Sequence, residues 1–84
     1  MYTNVNINKM NKRFKLWLES QNLNANSLSK LVDLNRSSIS HIVNGRNKPS
    51  VDMLEKILSI YPNLNLNWLI TGFGSMDINQ NTSD

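Results

Sequence analysis

The chain has 84 residues, a formal net charge of +3, 39% hydrophobic residues and no cysteine. That length makes one domain with a limited core, and the missing cysteine excludes a disulfide framework and cysteine-based zinc sites. No apolar run reaches the length of a membrane span, and the N-terminal MYTNVNINKM lacks the apolar stretch of a signal peptide.

Helix 1 is predicted over residues 9–21. Met10, Phe14, Trp17 and Leu18 recur at helical spacing, Asn8 can cap the start, and Asn22 suits a left-handed turn at the end. Leu16 falls off this stripe and is expected to be partly exposed. Val5 and Ile7 read either as an arm that packs down or as a mobile lead. Helix 2 is predicted over 25–32, with Asn24 as N-cap and Leu28, Leu31 and Val32 as its buried stripe. It stops at Asp33, which tolerates the positive φ of a tight turn better than most residues.

Helix 3 is predicted over 36–44, with Asn35 as cap, Ile39, Ile42 and Val43 inward, and Gly45 as the stop. Pro49 holds the chain extended before the next start. Helix 4 follows Ser50 as N-cap, with Asp52 in the first turn complementing the helix dipole. Val51, Leu54, Ile57, Leu58 and Tyr61 make its apolar face, and Pro62 ends it. A short helix 5 over 67–71 carries Trp68, Leu69 and Ile70 and closes at Gly72. Trp17 and Trp68 are read as core, an exposed Trp68 being the sign of a dimer surface instead. Residues 77–84, DINQNTSD, have almost nothing to bury and read as a disordered tail. The expected fold is therefore all-α, a compact bundle of about five short helices in one domain over 1–76.

Charge is unevenly spread. Lys9, Lys12, Arg13, Lys15, Lys30, Arg36, Arg46 and Lys48 face only Glu19 and Asp33 within residues 9–48, whereas Lys56 faces Asp52, Glu55, Asp77 and Asp84 beyond them. A basic half and an acidic half fit a polyanion partner, and charge alone fits an ordinary solvated surface equally well.

Helices 2 and 3 are short and joined by about three residues, 33–35, which is helix-turn-helix geometry with a core over 24–45. The outward side of helix 3 is then Arg36, Ser37, Ser40, His41 and Asn44, with Ser38 at its edge. None is negative, all can donate hydrogen bonds, and apart from Arg36 all can accept them. Such a surface suits a major groove, where base edges present both donors and acceptors. His41 has no second histidine or cysteine to join it as a metal ligand, and neither metal nor cofactor is expected.

The span LNANSLSKLVDLNRSSISHIVNGRNKPS, residues 23–50, resembles the helix-turn-helix of the lambda-repressor-like (phage repressor and Cro, XRE-type) DNA-binding family. ISHIVNGRNKPS carries the resemblance best, with Ile-Ser, then Asn-Gly, a basic turn and Pro-Ser. NWLITGFGSM resembles the end of this domain, so the likeness covers roughly residues 10–76. Three departures stand out. The family's usual glutamine at the start of helix 2 is Ala25, so its phosphate contact would fall to Asn24, Asn26 or the backbone. The turn glycine is Asp33. The buried Arg–Glu pair that links helix 1 to helix 3 in many members corresponds to Leu18 and Val43, an apolar replacement of both partners that can be neutral or stabilising.

The resemblance implies base contacts from Arg36, Ser37, Ser40 and His41. Arg36 suits a bidentate contact to guanine, with a phosphate contact as its alternative. Ser38 would touch a phosphate or simply occupy the third helical position. Asn35 reads as a cap ahead of a base reader. Asn24, Asn26, Ser38, Asn44, Arg46, Asn47 and Lys48 are the phosphate candidates, the alternative for 44–48 being a solvated loop. Lys9, Lys12, Arg13 and Lys15 are weaker candidates. The expected function is a sequence-specific regulator of transcription, a phage-type or bacterial repressor that binds a palindromic operator in double-stranded DNA as a homodimer in the cytoplasm. The alternative is a protein–protein module, such as an antitoxin or an antagonist of another regulator, with a toxin or regulator as partner. No membrane association and no enzymatic activity are expected, since no catalytic constellation is visible.

Overall fold

The computed structural model describes residues 9–78. Among them are five helices: α1 (Met10–Ser20), α2 (Ala25–Val32), α3 (Arg36–Val43), α4 (Val51–Ile60) and α5 (Leu66–Thr71). Helix α1 packs on α3 and α5, and α2 packs on α3 and α4. The core at their centre is built from Phe14, Trp17, Leu18, Leu28, Ile39, Ile42, Ile57 and Leu69, among others. Trp17 anchors it, stacked near Phe14 at 6.1 Å and meeting the edge of Tyr61 at 5.3 Å. No helix among the described residues is long and apolar enough to cross a membrane.

The helix ends follow their local chemistry. Asn24 and Ser27 form a reciprocal capping box at the start of α2, with Ser27 N donating to Asn24 Oδ1 at 2.9 Å and Asn24 N to Ser27 Oγ at 2.8 Å. Asn35 accepts from Ser37 N at 2.7 Å and Ser50 from Met53 N at 3.1 Å. Helix α1 starts one residue later than expected, with Lys9 in the cap position and no side-chain cap bond; Asn8 lies outside the described residues, as do Val5 and Ile7. Helix α5 starts one residue earlier than expected, because Asn65 Oδ1 accepts from Asn67 N and Trp68 N.

The left-handed turns also fall where expected. Asn22 has φ 59° and Asp33 φ 54°. Behind them Leu23 N reaches Leu18 O at 2.8 Å and Leu34 N reaches Ser29 O at 3.0 Å, closing α1 and α2. Asp33 carries a Cβ in a conformation that suits glycine better. Asp33→Gly is therefore expected to stabilise the protein by about 0.5 kcal/mol, the relief of backbone strain exceeding the added unfolded-state entropy. Thermal unfolding measures this as a rise of a few degrees, and a fall would show that the aspartate makes a favourable contact in the turn.

Two apolar assignments are corrected: Leu31 is 48% exposed and Val51 71% exposed. Ile70 also faces solvent. Ser29 is buried in place of Leu31, its hydroxyl satisfied by Asn26 O at 2.6 Å. The inward row of α2 is thus Leu28 and Val32 flanked by the small residues Ala25 and Ser29. In α4 the buried face turns toward Met53, one helical turn before Ile57, and leaves Val51 on the rim. Leu16 is partly exposed and Trp68 is buried, both as expected.

After α5 the chain folds back. Asn65 N donates to Met76 O at 2.9 Å, Asn65 Nδ2 to Ser75 O at 2.8 Å, and Ile78 N to Asn63 O at 2.8 Å. The first two residues of the expected tail, Asp77 and Ile78, thus lie beside 63–64, while 79–84 are outside the described residues.

Candidate nucleic-acid interface

The turn through Asp33, Leu34 and Asn35 sets α3 against α2, and Ile39 and Ile42 fix its inner side in the core. The opposite side carries the polar residues. Arg36, Ser37 and Ser38 are exposed at its first turn, and Asn44, Arg46, Asn47 and Lys48 are exposed at its end. Ser40 and His41 are half-buried. All four candidate base readers therefore belong to one helix, but Arg36 and Ser37 are its more accessible members.

Clefts of mixed polar and apolar lining flank α3 on two sides. On one, Ser40 and Asn44 share a cleft of about 270 Å³ with Asn24 and Ala25 at the start of α2, and with Lys15 and Glu19 of α1. Leu18 and Val43, the apolar pair, lie in the floor of the same cleft. On the other, Ser38 lines a cleft of about 360 Å³ with Asn47, Lys48 and Ser50. Hydrogen-bond donors thus line a cleft on either side of the exposed helix face. Asn26 is exposed on the first turn of α2, and Asn24 directs its side-chain oxygen to the capping box while its Nδ2 group can still donate.

The exit of α3 is tightly closed. Gly45 has φ 84°, Arg46 N donates to His41 O at 2.8 Å and Asn47 N to the same oxygen at 3.3 Å. The basic turn is therefore folded back on the helix it follows and holds its cations at the helix end.

Three features escaped the sequence pattern. Lys15, treated as a weak candidate, stands at the edge of the Asn24–Ser40–Asn44 cleft. Asn11 donates from Nδ2 to Val43 O at 3.1 Å. Arg13 is 4% exposed and turns away from solvent: its Nε donates to Leu69 O at 2.8 Å and its second terminal nitrogen to Ile70 O at 3.0 Å. It caps the end of α5, and burial lowers its pKa from the ordinary arginine value while guanidinium remains charged at any physiological pH. A basic residue at helical spacing beside Phe14 and Trp17 is the available signal, though it does not say which carbonyls it would meet.

The helix-turn-helix family model matches residues 14–69. No curated protein and no solved structure is significantly similar to the chain. The match runs from Phe14, within α1, to Leu69, the last core residue of α5, and includes the whole α2–turn–α3 unit, over well more than half of the chain. This chain belongs to the XRE/lambda-repressor-like helix-turn-helix family and is a DNA-binding helix-turn-helix regulator.

Proposed function

We propose that the chain is a sequence-specific transcriptional repressor that places α3 in the major groove of a palindromic operator. The carrying observation is the acid-free polar side of α3, with Arg36, Ser37 and Ser38 exposed at its start and Asn44, Arg46, Asn47 and Lys48 exposed at its exit. Arg36, Ser37, Ser40 and His41 read bases, with Arg36 and Ser37 entering most deeply. Asn24, Asn26, Ser38, Asn44, Arg46, Asn47 and Lys48 grip phosphates and set register, and Lys15 joins them. The domain extends over 1–76, and the protein works in the cytoplasm of a bacterium or of a phage-infected cell.

Two copies bind together, so that two α3 helices meet half-sites about 34 Å apart. Ile70 and Phe73, the latter 75% exposed, support a contact through α5 and the segment after it. Burial of Trp68 removes it from that surface. The test is selection of the purified chain on a randomised duplex library at physiological salt. A palindromic consensus with half-sites one helical turn apart is the expected result. Recovery of no consensus by folded protein would sink the operator-binding reading.

A second reading, an interaction module such as an antitoxin, draws support from a cleft of about 450 Å³ lined by Trp17, Ile60, Tyr61, Leu64 and Met76, to which α3 contributes nothing. Salt separates the two. DNA binding weakens steeply with salt, by about −0.9 in log–log slope per phosphate contact, whereas an apolar protein interface responds much less.

A further inference from the structure

The four carbonyls at the end of an α-helix have no partner within it. In α3 three of them are met locally: Ser40 O by Asn44 N at 2.9 Å, His41 O by Arg46 N and Asn47 N, and Ile42 O by Gly45 N at 3.0 Å. The fourth, Val43 O, is met from another helix, by Asn11 Nδ2 at 3.1 Å across 32 residues of sequence. The same amide lies against Gly45, where a Cβ would come within 3.3 Å of it. Asn11 therefore touches the last carbonyl of the helix and the left-handed residue that starts the basic turn. Its neighbours in the adjoining cleft of about 410 Å³ are Lys9, Arg46, Asn47 and Lys48.

We infer that Asn11 is a positioning residue for DNA binding, setting the angle at which the 44–48 turn leaves α3 and so where Arg46 and Lys48 meet the phosphate backbone. The inference rests on the DNA-binding reading above. Asn11 touches no DNA in this scheme. The backbone hydrogen bonds that fold the turn run to α3 itself, and its far end leads through Pro49 to Ser50 at the start of α4, so a contact from α1 adds a third constraint on its direction. Asn11 supplies that contact from α1, whose Phe14, Trp17 and Leu18 are fixed in the core.

The test is binding of a labelled mixed-sequence duplex over a range of salt, by wild type, Asn11→Ala and Asn11→Leu. Both variants remove the donor; alanine favours the helix and leucine keeps the volume, so loss of folding in one leaves the other informative. Folding is checked by circular dichroism. Affinity is expected to fall about five- to tenfold at fixed salt, and the log–log slope to flatten by about 1, one phosphate contact's worth. Combined with Arg46→Ala and Lys48→Ala, the Asn11 change should add less than about twofold, because the groups it positions are gone. A full additive loss in that background overturns the inference. So does a lower melting temperature with unchanged affinity and slope, which describes a merely structural bond. If wild type shows no salt-dependent binding, the DNA-binding reading fails and this inference with it. If wild type binds and the variants bind equally well, the inference alone fails.

Discussion

Arg13→Ala is expected to lower the melting temperature by about 10–25 °C, corresponding to a loss of about 2–4 kcal/mol in a domain of this size. The guanidinium satisfies two carbonyls at the end of α5, Leu69 O and Ile70 O, at 2.8 and 3.0 Å. Alanine leaves both without that donor, and a buried polar group left unmet costs about 1–3 kcal/mol. A positive charge at a helix C-terminus is also favourable, and the aliphatic stem fills space between α1 and α5. Gly72 belongs to the same arrangement. It holds φ 88°, and a Cβ there would come within 3.1 Å of the Arg13 guanidinium. Arg13→Lys keeps the charge but loses the fork, so it should recover about half of the loss. Circular dichroism melts of the two variants decide the matter. A shift below about 3 °C in both would mean that α5 does not depend on this cap. The folded Arg13 variants should also keep the wild-type salt dependence of DNA binding, since this cation faces the protein and not the solvent.

Arg13 shows where sequence pattern stops. Helix ends were legible because their causes are local. Asn24, Asn35 and Ser50 cap the residues two or three places on, and Asp33, Gly45 and Gly72 adopt positive or tolerated left-handed angles beside the helix they close. The order of elements and the placing of α3 followed from the same local signals. Which side of a short helix is buried is a different question. In eight residues, Leu31 and Ser29 lie on opposite flanks of Leu28, and hydrophobicity favours the leucine. The serine is buried all the same, and it can be, because its hydroxyl is satisfied on its own helix. In α4 Met53 is buried and Val51 exposed. The site was legible as a helix face and not as a set of neighbours. Lys15, Asn11 and Arg13 sit close together on α1, yet one lines a cleft beside α3, one holds the end of α3 and one holds the end of α5. That division depends on how α1 crosses its neighbours, which no spacing within α1 reveals.

Leu18 and Val43 stand where the family resemblance would put a helix 1–helix 3 pair. Leu18 is buried and Val43 half-buried, and both line one cleft. A polar tie joins the same two helices, from the Asn11 side chain to the Val43 backbone. Val43 thus contributes a side chain to apolar packing and a carbonyl to the tie. A backbone acceptor constrains the partner's position without specifying the side chain that bears it, which is why the residue at 43 can be apolar while the helices remain joined.

Arg36→Ala is expected to weaken binding to the selected operator about 5- to 150-fold, corresponding to about 1–3 kcal/mol for a bidentate arginine–guanine contact. Arg36 is the first residue of α3 and is exposed. Asn35 fixes the backbone ahead of it through Ser37 N at 2.7 Å, so the side chain starts from a defined position at the end of the helix that enters a groove first. Loss of a base contact has a distinctive signature: the preference at one base pair relaxes, and binding to unrelated DNA changes little. Lys48→Ala provides the contrast. A phosphate contact carries no sequence information, so its loss should weaken all duplexes about equally and reduce the salt slope by about 0.9. Competition binding with operator variants at each position, repeated at several salt concentrations, separates the two behaviours. If Arg36→Ala weakens every duplex to the same extent, Arg36 holds a phosphate and base reading passes to Ser37, Ser40 and His41. If both variants bind as wild type does, α3 does not dock through this face, because the largest cation at its start and a cation at its exit would then both lie outside the interface.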